Sequence, residues 1–190
     1  MVVRLASIIV AGLILSATSI VRPFVARADV DQAKATGGIV ALYLRDVDAH
    51  ALAIPGGAPP EELHLTLVSY GPDVRGLPET ELRQRLSDTV ADHGPIKAEV
   101  FGHGVFNPNS APRGVSTVYI VGDSPELVSL RQQVLSLSQQ LIEVPPQHEP
   151  WVPHVTAAYR ALDTDLTYIG MVEFDRIGLS WAGDTTYWPL

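Results

Sequence analysis

Two ten-residue stretches, EELHLTLVSY (61–70) and PWVPHVTAAY (150–159), restrict this chain more than any other feature. Each sets a histidine and, two positions later, a threonine into an otherwise apolar run preceded by a proline-bearing loop. Aliphatic and β-branched density of this kind predicts a strand, whose successive side chains point to opposite faces. His64 and Thr66 therefore share a face, while Leu63, Leu65 and Leu67 supply the other. His154 and Thr156 repeat the arrangement, with Val155 and Ala157 turned away. An apolar face must be covered by a core, so each strand is expected to mount an imidazole beside a hydroxyl on a rigid, packed support.

The rest of the chain supplies the frame for these strands. IVALYL (39–44) reads as a buried strand, Asp46 or Asp48 is placed to cap a short helix running to Ile54, and PGGAPP (55–60) is loop. A helix is predicted from about Pro78 to His93, with Leu82, Leu86 and Val90 on one face. IKAEVFGHGVFN (96–107) and VSTVYIV (115–121) read as strands joined by the turn PNSAPRG. Ser124-Pro125-Glu126 opens a helix whose apolar stripe is Leu127, Leu130, Val134, Leu137 and Leu141. After the loop PPQHEP (145–150) and the second histidine strand, MVEFDRIGLSW (171–181) forms a final strand that TTYWPL can pair.

The halves rhyme. Each has an apolar strand, an acidic break with helix potential, a proline-bearing loop, a His-x-Thr strand closing on tyrosine, and a later strand containing Phe and Gly. Strands and helices interleave without regular βαβ spacing, which predicts an α+β fold of two similar lobes with largely antiparallel strands. A pseudo-twofold relation between the lobes would face the two His-Thr pairs across one cleft. At 190 residues the chain suits one cored domain, or two small lobes sharing a core.

The first 28 residues have the pattern of an export signal or N-terminal membrane anchor. Arg4 precedes an uncharged block from Leu5 to Val21, and Ala26-Arg27-Ala28 fits a small-x-small cleavage site. On that reading the protein is secreted or held in the cell envelope, residues 29–37 are linker, and 38–190 form the folded domain. A true start further downstream would instead leave it in the cytoplasm. Zero cysteines exclude disulfides, a thiol nucleophile and a sulfur-ligated zinc site.

Charge narrows the partners. Taking the three arginines within residues 1–28 from the total of 13 basic side chains leaves ten against 21 Asp and Glu, a formal charge of −11. Long nucleic acids are held by an excess of Lys and Arg on phosphates, so such a partner is disfavoured, whereas a small phosphorylated ligand needs only one or two local donors. A monomer is expected.

Two imidazoles flanking one phosphate suffice for phosphodiester cleavage without a metal. One takes a proton from the attacking water while the other, protonated, gives one to the departing oxygen; which histidine does which depends on whether the 2' or the 3' oxygen leaves. The threonine hydroxyls can donate to the non-bridging oxygens. No HExxH or histidine-carboxylate cluster marks a metal site, and His50, His93, His103 and His148 read as surface or loop residues. On ideal alternation Tyr70 falls on the His64 face and Arg160 on the His154 face, and Arg113 lies on a turn; these three are candidate substrate contacts. Tyr43, Phe106 and Trp181 are candidates to stack on a base or to fill the core.

The pair HLT and HVT in a duplicated α+β chain resembles the 2H phosphoesterases, the two-histidine superfamily that includes the LigT-like RNA ligases and cyclic phosphodiesterases. LAIPGGAPPEELHLTLVSYG (52–71) is especially similar to a branch found in actinobacteria and their phages. The resemblance spans Gly38 to Leu190. It implies a bilobal fold with two antiparallel-type sheets flanking a cleft lined by His64, Thr66, His154 and Thr156. It also implies hydrolysis of a 2',3'-cyclic phosphate or related cyclic nucleotide or oligonucleotide with no cofactor or metal. The alternative is a non-catalytic nucleotide-binding or virion or envelope module that keeps the fold alone.

Overall fold

The computed structural model describes residues 35–108, 114–160, 162 and 165–190. The expected signal, most of the linker and Arg113 lie outside the described residues. The elements run β1 (Gly38–Leu44), α1 (Asp46–Leu52), a 3-10 turn (Pro60–Glu62), β2 (His64–Ser69), α2 (Glu79–Val90) and β3 (Ile96–Phe106). They continue through β4 (Ser116–Val121), α3 (Pro125–Gln139), β5 (His154–Ala158), β6 (Gly170–Trp181) and β7 (Asp184–Pro189).

Every strand pairing is antiparallel, in the order β1-β2-β5-β4-β3-β6-β7, and an additional β1–β6 pairing closes a circuit of six strands. Strand β6 makes this possible by its length. Its first part, Gly170–Phe174, pairs with β3, its later part pairs with β7, and β1 follows it from Phe174 to Trp181. The α+β lobes expected from the sequence are therefore β2-β1-β6-β7 and β5-β4-β3-β6. They are joined through β6 and along a short seam where Leu65 of β2 pairs with Val155 of β5.

The helices cover the apolar sides of the strands. Helix α3 starts where Ser124 accepts the Leu127 amide on its side chain and Pro125 occupies the first turn. Its stripe of Leu127, Leu130, Val134 and Leu137 is buried with Leu65, Leu67 and Val155 in one core. Fully burying a side chain of this kind stabilises by about 1.5–3 kcal/mol, so the inner faces of β2 and β5 are fixed strongly. Helix α1 departs from the expected capping: its N-cap is Arg45, with no side-chain cap, and Asp48 instead accepts the Glu173 amide of β6 at 3.0 Å while pairing with Arg45 at 3.2 Å. A buried carboxylate is satisfied by the amide and the guanidinium together, which ties α1 to β6.

Candidate active site

Each histidine strand departs from plain alternation at the same place. In β2 the register against β1 slips between Val40 paired with Val68 and Ala41 paired with Thr66, leaving Leu67 as an extra residue. In β5 the register against β4 slips between Thr117 paired with Ala158 and Val118 paired with Thr156, leaving Ala157 extra. Both bulges fall three residues after the histidine, so Leu67 and Val68, like Ala157 and Ala158, are buried in succession. The bulges leave the His-x-Thr segments intact and invert everything after them.

The seam then assembles the site. With Leu65 opposite Val155, extending the antiparallel register by one residue each way sets His64 opposite Thr156 and Thr66 opposite His154. All four side chains lie on the half-buried face, with Leu63, Leu65 and Val155 buried beneath. The two histidines are diagonal neighbours, whose Cα atoms lie about 7–8 Å apart in such a pair.

Both imidazoles are oriented by their own strand. Nδ1 of His64 lies 2.6 Å from the Glu62 carbonyl and Nδ1 of His154 lies 2.8 Å from the Val152 carbonyl, each two residues back along the chain. A carbonyl oxygen only accepts, so Nδ1 carries a proton in both rings, and the neutral ring keeps its lone pair on Nε2. Each ring is thus set to take or give a proton through Nε2. His64 is flanked by the Tyr43 ring, centroids 5.5 Å apart, and His154 by the edge of Phe106 at 4.8 Å.

A cleft of about 550 Å³ opens on one side of this cluster. His64, Thr66 and Thr156 line it; His154 stands outside its lining. Its far wall carries a chain of hydroxyls. Tyr43 Oη lies 3.3 Å from Ser180 Oγ, which lies 2.9 Å from Thr185 Oγ1. Tyr187 meets Tyr43 edge-on at 4.9 Å. Gly178 on β6 permits this pairing, because a Cβ there would sit 2.6 Å from the Tyr43 ring and 3.1 Å from that of Tyr187. Burial pushes the Tyr43 phenol up to about 12, partly offset by the bond to Ser180.

Tyr70 is a correction to the sequence expectation. The bulge at Leu67 turns it from the His64 face into the core, where it packs on Trp181 at 5.4 Å and bonds Ser138 at 2.7 Å. Burial raises its pKa to about 12 against the opposing effect of Ser138. Trp181, on β6, is likewise core. The matching bulge at Ala157 sends Tyr159 to the cleft, where ideal alternation would have turned it away. Arg160 is exposed and outside the cleft lining, its guanidinium 3.2 Å from where a Cβ would stand on Gly56. His50, His103 and His148 are exposed, His93 is half-buried, and among the described residues no three His, Asp or Glu side chains group as a metal site.

The family's sequence profile, that of the 2'-5' RNA ligase superfamily, matches residues 26–176. This chain belongs to the 2'-5' RNA ligase superfamily. Membership supports phosphodiester chemistry in general, and the fold agrees with it. The Thermus thermophilus protein TT0787 is similar with a TM-score of 0.58 at 22% identity, over 81% of this chain and 94% of that one. E. coli LigT complexed with 3'-AMP is similar with a TM-score of 0.51 at 20% identity, over 82% and 95%. E. coli LigT complexed with NADP+ gives 0.51 at 19% identity over the same shares. Among curated proteins no sequence matches at a significant level.

Proposed function

We propose that this superfamily member is a metal-independent phosphodiesterase that opens a cyclic phosphate on a nucleotide by paired histidine acid-base catalysis. The observation that carries the reading is the matched setting of His64 and His154. Both lie on one face across the seam, both are held through Nδ1 by the carbonyl two residues back, and each is opposite the other strand's threonine.

The one-sided cleft supports an order of roles. The leaving oxygen remains on the sugar, and the cleft formed by the described residues gives the sugar and base room on the His64 side. His64 therefore gives its Nε2 proton to the departing ring oxygen. His154 takes a proton from a water that attacks phosphorus from the opposite side, so that one P–O bond forms as another breaks and one water is added overall. Thr66 and Thr156 donate to the non-bridging oxygens, where one well-placed donor is worth about 10²–10³ in rate. Ligands named in the LigT structures, 3'-AMP and NADP+, are small phosphorylated molecules of the kind the cleft can hold. The apolar N-terminal block supports action at or beyond the membrane.

The test is incubation of the full chain with 2',3'-cyclic and 3',5'-cyclic mono- and oligonucleotides in EDTA, with products resolved by phosphorus NMR. Conversion of a cyclic diester to a monoester is expected, unaffected by the chelator. Binding without product would favour a nucleotide-binding module, and activity lost in EDTA would contradict a metal-free mechanism.

A further inference from the structure

The two carbonyls that anchor the histidines are fixed by different means. On the way into β2 the Glu62 carbonyl ends a 3-10 turn, in which the Glu62 amide donates to Pro59 at 3.0 Å and the Leu63 amide to Pro60 at 3.1 Å. Backbone bonds within that turn hold the carbonyl that receives the His64 Nδ1 proton. The segment before β5 has no such turn: Trp151, Val152 and Pro153 lie outside any helix or strand, and proline has no amide hydrogen to give. The Val152 carbonyl, 2.8 Å from His154 Nδ1, is therefore held from outside its own segment.

Its two neighbours supply the hold. The Pro153 carbonyl accepts the Val121 amide of β4 at 2.9 Å, which fixes one side. On the other side Arg131 of α3 lays its guanidinium over the Trp151 ring, 4.6 Å from the centroid, and its Nη2 donates to Glu149 at 3.4 Å. Arg131 stands four residues after Leu127 and three before Val134, on the apolar stripe of the helix, and its side chain is only 11% exposed. A cation at a core-facing position is costly to desolvate, and here the face of an indole compensates for it. The Glu149 carboxylate is 70% exposed and adds little, so within this cluster the stack is the stronger tie between α3 and the segment.

Resting on the diesterase reading above, we propose that Arg131 is a positioning residue for His154: stacked on Trp151, it holds the segment whose carbonyl fixes the tautomer of the imidazole. Neutral imidazole carries its proton on either nitrogen, and a carbonyl at Nδ1 selects the form whose Nε2 is free to accept one. With the stack gone, Trp151 and Val152 are free to turn and the carbonyl leaves Nδ1. Part of the population then carries the proton on Nε2, which cannot act as a base. The ring also loses its aim, and a displacement of about 1 Å in a reacting group costs on the order of 10²-fold in rate. His154 lies outside the cleft lining, so ligand binding is unchanged. His64 keeps its own anchor in the 3-10 turn.

The experiment compares the wild type with Arg131→Met and Trp151→Leu, which remove the stack from either side, so that a folding failure in one leaves the other to decide. Nitrogen NMR of the imidazoles at a pH of about 9, well above the ordinary imidazole pKa near 6.5, reads the tautomers of His64 and His154. kcat and KM are measured for adenosine 2',3'-cyclic phosphate, with denaturant midpoints to check folding. The wild type should show His154 protonated at Nδ1. Each folded variant should show mixed tautomers at His154 and the wild-type form at His64, with kcat lower by about tenfold or more and KM within about twofold. A shifted midpoint with tautomer and kcat unchanged assigns Arg131 to packing alone and overturns the inference while leaving the diesterase reading intact. A fall in kcat with His154 still protonated only at Nδ1 overturns it as well. Mixed tautomers in the variants of a protein whose wild type turns over no cyclic phosphate sink the diesterase reading and spare the positioning.

Discussion

Leu65 faces Val155 across the seam between β2 and β5, and that one antiparallel pair sets each lobe's histidine opposite the other lobe's threonine. Neither lobe carries a complete site. The proposed catalytic face depends on a register held by apolar side chains on the reverse of the same strands, with Leu65, Val155 and Leu63 buried against the core. Packing therefore positions the chemistry from behind, and the polar face is left open to ligand.

Tyr70 should matter to stability and not to turnover. Tyr70→Phe removes the buried bond to Ser138 and leaves the packing on Trp181, for a loss of about 1 kcal/mol in denaturant unfolding. kcat/KM should be unchanged; a selective rise in KM would restore it as a substrate contact.

Alkaline pH should expose the two tyrosines raised furthest, Tyr43 and Tyr70; burial also raises Tyr119. The folded pKa values of Tyr43 and Tyr70 are both about 12, above the ordinary value near 10. Their neutral forms favour the fold, so this stability is fully present below pH 10 and is lost as pH rises from 10 through 12, on the order of 2–3 kcal/mol for each phenol. Phenolate absorbance should show at least two tyrosines titrating late, together with alkaline unfolding. Titration of all six tyrosines near pH 10 in the folded protein would contradict this.

Gly178→Ala should damage the ligand wall selectively. The added methyl meets the Tyr43 and Tyr187 rings, and forcing a group into such a contact costs about 1–3 kcal/mol. Part of that should appear as a several-fold rise in KM, because Tyr43 is both cleft wall and neighbour of His64. Unchanged melting temperature and KM would show that the rings do not need this close approach.

Much of the architecture was legible along the chain. Helix α3 carries its start signal at Ser124 and its stripe at helical spacing, and both His-x-Thr segments alternate cleanly, because these patterns are local. The bulges at Leu67 and Ala157 were not legible. An extra residue in a strand is defined by its partner's register, and β1 and β4 impose that register from distant sequence. That one unread feature misplaced Tyr70 and hid Tyr159. Nor did local pattern reveal that the β6–β7 hairpin would bring Ser180, Thr185 and Tyr187 beside His64, since this depends on β1 pairing with both β2 and β6. A glycine at 178 was a faint signal for such an approach.

The proposed chemistry requires two imidazoles acting on one phosphorus atom. The most direct test is kcat/KM against pH for cyclic phosphate opening in EDTA by the wild type, His64→Ala and His154→Ala, with circular dichroism to check folding. The wild type should give a bell-shaped profile, since an acid and a base are both required, and each variant should lose about 10²–10⁴-fold in rate while remaining folded. Wild-type turnover by either folded variant would contradict the two-histidine mechanism.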